Sequence, residues 1–270
     1  MSSGNSVLSV FRTKSDEFAE RVGTCVVSVF EVVGSVFLFI LTILSRIPKV
    51  FHRPHTTIEH MSKIGITSLP VVALTSVFTG AVSAWQAAYQ FSDYIPLSYI
   101  GVAVGKAIMI NLGPVLTALV VAGRIGAAMA AELGTMKVTE QIDAMECLSL
   151  DPFLYLFMPR FLAAVIMMPM LVILSSFIGL MGALVCSSFF FGLEGHIFFN
   201  GVKMFFVLKD VIIGLFKSVI FGAIISSMGC YYGYYTSGGA QGVGEATKKS
   251  VVASSVWILV AGYITDGLFL

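Results

Sequence analysis

The sequence contains unusually few charged residues. Only 11% of its 270 residues are charged, while 57% are hydrophobic and the mean hydropathy is +0.93. Soluble proteins are about one quarter charged, so this composition argues against a water-soluble domain and predicts an integral membrane protein. The net charge of +1 gives no indication of a nucleic-acid partner.

Cysteine pairs with the spacing of redox or metal sites are also missing. The four cysteines are Cys25, Cys147, Cys186 and Cys230. They lie in or beside apolar segments without CxxC spacing, so we predict neither a disulfide framework nor a metal site. His52, His55 and His60 include no pair at i, i+4, and a solvated loop explains them better than metal ligation does.

Catalytic motifs are lacking as well. There is no Ser/His/Asp arrangement, no HExxH motif and no pair of carboxylates on an apolar segment. The glycine-rich stretch 231–250, YYGYYTSGGAQGVGEATKKS, resembles a phosphate loop only superficially, because Thr247 stands where that motif needs a glycine before Lys248. We interpret its glycines as a tight loop, and we predict a protein that is not an enzyme and holds no cofactor itself.

Long apolar runs dominate what is present. Runs of about 20 residues or more are too long for the strands of a membrane β-barrel, so an all-α integral membrane protein is predicted. The expected spans are 64–91, 97–121, 161–191, 211–230 and 251–270. Segment 22–47 is also apolar, but Glu31 lies near its middle. A carboxylate at that depth is costly, so this segment is either a sixth span or an interfacial or re-entrant helix.

The distribution of basic residues predicts the topology. The loop 46–63 carries Lys49, Arg53 and Lys63, whereas the loop 92–96 has no lysine or arginine. Basic loops face the cytoplasm, and Lys248 and Lys249 mark the same side. We therefore expect a cytoplasmic N-terminus, five crossings and a C-terminus outside; if 22–47 crosses, the count becomes six.

A charged stretch interrupts the apolar runs at 123–145, GRIGAAMAAELGTMKVTEQIDAM. Its small residues favour close approach of another helix. Past Gly134, the spacing of Val138, Ile142 and Met145 predicts a short amphipathic helix at the water boundary. We interpret this helix as a docking element for a partner.

Two lysines and an asparagine lie well inside the predicted spans. Lys106, Asn111 and Lys217 are candidates for a functional site, or they satisfy structural roles by snorkelling and hydrogen bonding. Neither lysine has an evident acidic partner at its depth, so an ion-coupled carrier is weakly supported. Pro114 is expected to loosen or kink its helix. These features favour a membrane subunit that takes its energy from another protein.

The stretch 123–145, preceded by LGPVLTALVVA and followed by LSLDPFLYLFMPRFLA, closely resembles the MlaE (YrbE-type) permeases of ABC transporters that move phospholipids between bacterial membranes. The C-terminal YYGYYTSGGAQGVGEATKKSVVASS is similar to that family's second signature. The resemblance covers 57–270, the expected permease domain. It implies that 1–56 forms a cytoplasmic segment and a membrane-embedded elbow helix, which favours the re-entrant interpretation of 22–47.

The resemblance also implies partners. Such permeases are homodimers in the bacterial inner membrane, with the N-terminus cytoplasmic and the C-terminus periplasmic. Each copy binds a cytoplasmic ABC ATPase, which binds the ATP, through the short helix after the second span. A periplasmic MCE-domain ring and often a small STAS-domain protein complete the complex. The expected ATPase-coupling residues are Arg124, Glu132, Thr139, Glu140, Gln141 and Asp143.

Phospholipid is expected in a cavity at the dimer axis. The residues expected to line it are Trp85, Gln86, Tyr89 and Asn111. The family commonly has Arg-Glu before Leu-Gly-Pro, whereas this chain has Ile110-Asn111. The expected function is a permease subunit that moves phospholipid between the inner membrane and the MCE partner. The alternative is a membrane scaffold that transports nothing and anchors a cytoplasmic partner.

Overall fold

A computed structural model describes residues 34–35, 38–39, 41–42, 54–91, 96, 99–204 and 206–269. The chain divides into two units, Met1–Ser45 and Arg46–Leu270. In the first unit the described residues are helical, and Thr42 donates to the Leu38 carbonyl at 2.8 Å. The elbow helix expected at 22–47 otherwise lies outside the described residues.

The second unit is helical, and no strand occurs within the part of it that the structure describes. Its helices are α1 (Pro54–Phe91), α2 (Ile100–Val138), α3 (Gln141–Cys147), α4 (Phe153–Phe191), α5 (Gly195–Met204), α6 (Leu208–Tyr234) and α7 (Gly239–Phe269). Within the described ranges, α1, α2, α4, α6 and α7 are long and apolar enough to cross a membrane. The predicted all-α fold with five spans is confirmed.

Helix α2 is longer than the apolar run that predicts it. Its 39 residues measure about 58 Å, roughly twice the hydrocarbon thickness of a bilayer. The short amphipathic helix predicted past Gly134 begins later, at Gln141, because α2 continues to Val138 and the chain turns only at Thr139 and Glu140. Alanine and glycine in this stretch extend the helix along α6 and α7 rather than ending it.

The glycine-rich stretch 231–250 is mostly helical. Helix α6 ends at Tyr234 and α7 begins at Gly239, so the loop predicted there shrinks to 235–238. Gly238 and Gly239 have φ angles of 88° and 68°, a backbone region that glycine adopts without strain. Gly233 lies within α6, and Gly242 and Gly244 lie within α7.

Pro114 changes the helix type immediately before it. The segment Ile108–Leu112 of α2 is a π-helical turn, and Gly113 and Pro114 start the next α-helical segment. Proline has no N–H to donate to the carbonyl four residues earlier, which is that of Ile110. The predicted local distortion is confirmed, and it leaves the Ile110 carbonyl open to another donor.

Small residues bring the helices together. A Cβ added to Gly80 of α1 would overlap the carbonyl of Gly179 in α4, and beside this crossing the hydroxyls of Ser76 and Ser175 are 2.8 Å apart. Between α2 and α6, a Cβ on Gly229 would lie 3.2 Å from the Gly126 carbonyl. The close approach predicted for the small residues of 123–131 is thus confirmed at Gly126.

Two buried clusters fill the bundle. One lies around Phe221 and Ile258, and the other around Phe198 and Ile100. We call the end of the bundle that carries α3 the charged end, and the end that carries α5 the far end. Helix α5 packs on the start of α2, where a Cβ on Gly101 would overlap the Phe198 carbonyl.

Candidate functional site

The turn between α2 and α3, at the charged end, contains one of two non-glycine residues with a positive φ among the described residues. Glu140 has φ 59° and ψ 14°, the left-handed region. Its N–H donates to the Lys137 carbonyl at 3.1 Å, and its carbonyl accepts from Ala144 at 2.9 Å. The Glu140 side chain is exposed and has no ion-pair partner among the described residues. An unpaired carboxylate therefore projects from a sharply bent, hydrogen-bonded turn.

Helix α3 is tied to the end of α2. Lys137 Nζ lies 2.5 Å from Asp143 Oδ1, and Gln141 Nε2 donates to Thr139 Oγ1 at 3.1 Å. Ile142 is fully buried beneath the helix. The carboxylate of Asp143 therefore stabilises this chain's own turn, while Thr139, Glu140 and Gln141 are exposed beside it.

An aromatic cluster supports α3, and sequence reasoning missed it. Phe153, Phe157 and Tyr234 have ring centroids between 5.1 and 5.9 Å apart. The Tyr234 hydroxyl donates to Glu146 Oε1 at 3.4 Å, and Lys137 Nζ lies 5.4 Å from the tyrosine ring. The available signal was the aromatic pair four residues apart directly after Pro152, at the start of a helix.

The other two predicted coupling residues lie elsewhere. Glu132 accepts from Arg160 Nη2 at 3.3 Å and lies 3.6 Å from Lys63 Nζ, so it joins α2 to α4 and α1. Arg124 is exposed in the π-helical turn Ala122–Gly126, two helical turns before Glu132. The structure thus brings four of the six residues together at the turn and separates Glu132 and Arg124 from them.

Three of the predicted cavity residues lie on the outside of α1. Trp85 is 50% exposed and Tyr89 80%, and Gln86 between them is also exposed. Trp85 packs edge-on against Phe190 and Phe191, at centroid distances of 4.9 and 5.5 Å. They continue an exposed apolar face that we call the α1 stripe, formed by Leu74, Phe78, Val82, Trp85 and Tyr89. Within the described ranges these five side chains are exposed rather than enclosed.

Asn111 belongs to a different group. Lys217 Nζ donates to Asn111 Oδ1 at 2.5 Å, to the Ile110 carbonyl at 3.2 Å and to Asp266 Oδ1. We call Asn111, Lys217 and Asp266 the polar cluster; it joins α2, α6 and α7. The ammonium group thereby uses the carbonyl that Pro114 leaves without a helical donor.

The prediction that the lysines within the spans lack acidic partners was wrong. Lys217 pairs with Asp266, and Lys106 lies 3.9 Å from Asp210. Consecutive spans joined by a short turn run antiparallel, so residues 49 positions apart meet at one level of the bundle. The sequence signal was an aspartate near the end of the last span, opposite a lysine in the first half of the preceding one.

The charges of the three side chains in the polar cluster cancel. One ammonium, one carboxylate and one neutral amide carry no net charge, which keeps the cost of burying Lys217 low. A carboxylate at position 111 would add a surplus negative charge. Within the described ranges, no group of three or more His, Cys, Asp or Glu residues could hold a metal ion.

Comparison with known proteins identifies a protein family that the chain matches over most of its length. Residues 57–268 match the family model described as Permease MlaE. A "probable ABC transporter permease protein" of Rickettsia typhi is 42% identical over 252 residues, covering 93% of this chain and 97% of the relative. A protein of the same description from Synechocystis is 42% identical over 242 residues, covering 90% and 89%.

A plant relative is more distant. The Arabidopsis thaliana chloroplast protein named TRIGALACTOSYLDIACYLGLYCEROL 1 is 37% identical over 213 residues, covering 79% of this chain and 61% of the plant protein. The region matched by the family model, 57–268, contains the α2 to α3 turn as well as the polar cluster.

Proposed function

The chain belongs to the MlaE permease family and is a membrane permease subunit of an ABC transporter; we propose that its cargo is phospholipid. The observation that carries this proposal is the pairing of an exposed, rigidly held Glu140 turn at the charged end with an exposed apolar face on α1. The turn suits a soluble partner, and the α1 stripe suits acyl chains.

The α1 stripe supports a homodimer. Its members recur every three or four residues and so lie on one helix face, and each of the five is at least half exposed. A second copy facing this stripe would enclose an apolar space lined by Trp85, Gln86 and Tyr89. Phospholipid tails need such a space, and the exposed Gln86 amide and Tyr89 hydroxyl can bond a headgroup.

The Glu140 turn supports docking of a separate ATPase, which binds and hydrolyses the ATP. Thr139, Glu140 and Gln141 present three polar side chains on a single turn. The Lys137 to Asp143 pair and the buried Ile142 hold that turn in place. A basic groove of the ATPase would accept Glu140 through charge-assisted hydrogen bonds of about 1.5 to 3 kcal/mol each.

Helix α2 would transmit movement of the ATPases to the membrane part of the permease. It runs as one helix from Ile100 to Val138 and carries both the polar cluster and the turn. Closure of two ATPases would push α3, tilt α2 and change the width of the space between the two α1 stripes. Lipid would then pass between this space and a periplasmic MCE ring.

The charge distribution supports the proposed orientation. The charged end, with Lys63, Lys137 and Arg160, would face the cytoplasm, and the far end with α5 would face the periplasm and the MCE ring. The N-terminus would then be cytoplasmic and the C-terminus periplasmic, in a bacterial inner membrane. A STAS-domain protein would join through the ATPase.

Co-purification tests the docking step. Glu140→Lys should abolish recovery of the partner ATPase, because it reverses the exposed charge. Glu245→Lys is the matched control, since Glu245 is exposed in α7 and has only a 3.9 Å contact with Lys249. Equal recovery of the ATPase by Glu140→Lys and the native chain would refute this contact.

Reconstitution tests the cargo. Vesicles containing the native chain and its ATPase should transfer fluorescent phospholipid to an acceptor only when ATP is hydrolysed, and Glu140→Lys should transfer none. A scaffold that transports nothing would bind the ATPase and leave lipid transfer at the level of empty vesicles.

A further inference from the structure

A cavity of about 240 Å³ lies at the charged end between α1, α2 and α4. Its polar side is formed by His60, Lys63, Glu132 and Arg160. Its other side is apolar and includes Ile64, Ile125 and Met129. We call it the basic pocket. It uses none of the exposed residues of the Glu140 turn and none of the α1 stripe.

Arg160 is the central group of the basic pocket. It is 6% exposed, and it donates to the Leu156 carbonyl at 2.9 Å and to Glu132 at 3.3 Å. Its Nε–H has no acceptor within the part of the chain that the structure describes. A guanidinium has five N–H donors, so donors of this buried group remain available to an anion.

The lining of the pocket carries more positive than negative charge. Arg160 and Lys63 line it with two positive charges against one carboxylate, Glu132, while the carboxylate of Glu59 lies beside His60 and outside the lining. A buried cation with an incomplete set of acceptors is costly. An anion bound between Arg160 and Lys63 would complete the set and balance the charge.

The pocket lies where the uncharged part of the bundle begins. Lys63 directly precedes the uncharged run 64–91, and Arg160 directly precedes the uncharged run 161–191. Because these runs are long enough to cross the hydrocarbon layer, both cations lie at its boundary. That boundary is the level of lipid phosphates.

The apolar side of the pocket identifies the kind of anion. Thr67 lines the pocket, and seven residues later Leu74 begins the α1 stripe. A spacing of seven keeps both on one face of the helix, so the edge of the pocket and the α1 stripe lie on the same face of α1. A free phosphate would use only the polar side, whereas a phospholipid would use both.

We propose that the basic pocket binds the headgroup of an anionic phospholipid from the adjacent leaflet, with its phosphate between Arg160 and Lys63. Glu132 holds the guanidinium in place, and the acyl chains lie along the outer face of α1, from the exposed Thr67 toward the α1 stripe. This site needs neither an ATPase nor transport, so it stands apart from the function proposed above.

Lipid binding to the purified full-length chain tests the site. In detergent micelles doped with phosphatidylglycerol, native mass spectrometry should show Lys63→Ala binding this lipid about tenfold more weakly, the loss expected for one charge-assisted hydrogen bond. Lys63 is largely exposed, so this variant should fold. Arg160→Gln should show an equal or larger loss. Lys248→Ala, which removes an exposed lysine of α7, is the matched control and should bind as the native chain does.

Two results of the same lipid-binding measurement would overturn the proposal. Equal phosphatidylglycerol binding by Lys63→Ala, Arg160→Gln and the native chain would refute the site. Glycerol phosphate competing as strongly as the intact lipid would show a free-anion site instead. Glu140→Lys should retain full binding, so failure of ATPase docking and failure of this site are distinguishable.

Discussion

Lys217 and Asp266 form an ion pair between α6 and α7, and the lysine has no exposed surface. Asn111 and the Ile110 carbonyl on α2 complete the acceptors around the ammonium group. Three spans therefore meet at one fully coordinated cation. Because an unpaired charge in this position would be very costly, the polar cluster fixes how α2, α6 and α7 pack.

Asp266→Asn should destabilise the chain strongly. The variant leaves the Lys217 charge buried without its counter-ion, which costs about 3 kcal/mol of unfolding free energy. Unfolding in mixed micelles of increasing dodecyl sulfate content measures this change. The double variant Lys217→Met/Asp266→Leu should recover most of the loss, since it removes both charges.

The more exposed pair of Lys106 and Asp210 should contribute much less to stability than the buried pair of Lys217 and Asp266. These groups are 3.9 Å apart and the lysine side chain is 45% exposed, so Asp210→Asn should cost about 0.5 kcal/mol. Similar losses for Asp210→Asn and Asp266→Asn would contradict a special role for the polar cluster.

Glu140→Gly should weaken ATPase binding without destabilising the chain. Glycine adopts the left-handed backbone of this position without strain, so the turn survives while the carboxylate is lost. Glu140→Val should lose about 1 kcal/mol of stability, because a β-branched side chain is strained there. Co-purification with the ATPase and micellar unfolding measure the two effects separately.

Glu245→Gly is the backbone control for that prediction. Glu245 lies within α7, where glycine costs about 1 kcal/mol. A loss at Glu140→Gly as large as at Glu245→Gly would show that the turn does not require the left-handed conformation.

Gly80→Ala should disrupt the packing of α1 on α4. The added methyl group would overlap the Gly179 carbonyl, and relief of that overlap requires backbone shifts that cost about 1 to 3 kcal/mol. Gly244→Ala is the matched control, because nothing lies within 4 Å of its Cβ position in α7. That variant should gain about 0.5 kcal/mol from its higher helix propensity. Unfolding in mixed micelles compares them, and equal stability of the two variants would refute the proposed crossing.

Phe78→Cys should form a disulfide-linked dimer in native membranes when it is placed in a cysteine-free background. Phe78 is 63% exposed in the middle of the α1 stripe, the face proposed to meet a second copy. Phe177→Cys is the control, since Phe177 is similarly exposed on α4 but lies outside the stripe. Non-reducing electrophoresis after mild oxidation reads the result; a dimer from Phe177→Cys alone would move the interface to α4.

The helix ends show where sequence reasoning stopped. The charged stretch 123–145 predicted a short helix that starts past Gly134, yet α2 continues through Arg124 and Glu132 to Val138 before that helix begins. Polarity marks where a helix leaves the membrane, whereas its end depends on backbone hydrogen bonds and on packing. Here α6 and α7 accompany α2 past the apolar region, so the helix does not end there.

In the candidate sites, too, the sequence predicted which residues are neighbours along the chain but not which residues meet between helices. Thr139, Glu140, Gln141 and Asp143 are neighbours in the sequence, so their proximity was predictable. The contact of Asp143 with Lys137 and that of Glu132 with Arg160 depend on the turn and on the crossing of α2 with α4. Such contacts cannot be inferred from spacing along one helix.

The sequence by itself determined the membrane class, the five spans, the small-residue approach at Gly126 and the distortion at Pro114, because hydropathy, side-chain size and a missing N–H are local properties. Only the tertiary structure decided that Lys217 meets Asp266 and Asn111, that Trp85 and Tyr89 face outward, and that Arg160 lines a pocket with Lys63. The physical reason is that these relations depend on the rotation and tilt of each helix against its neighbours, and these are set by the sum of many packing contacts rather than by any single segment.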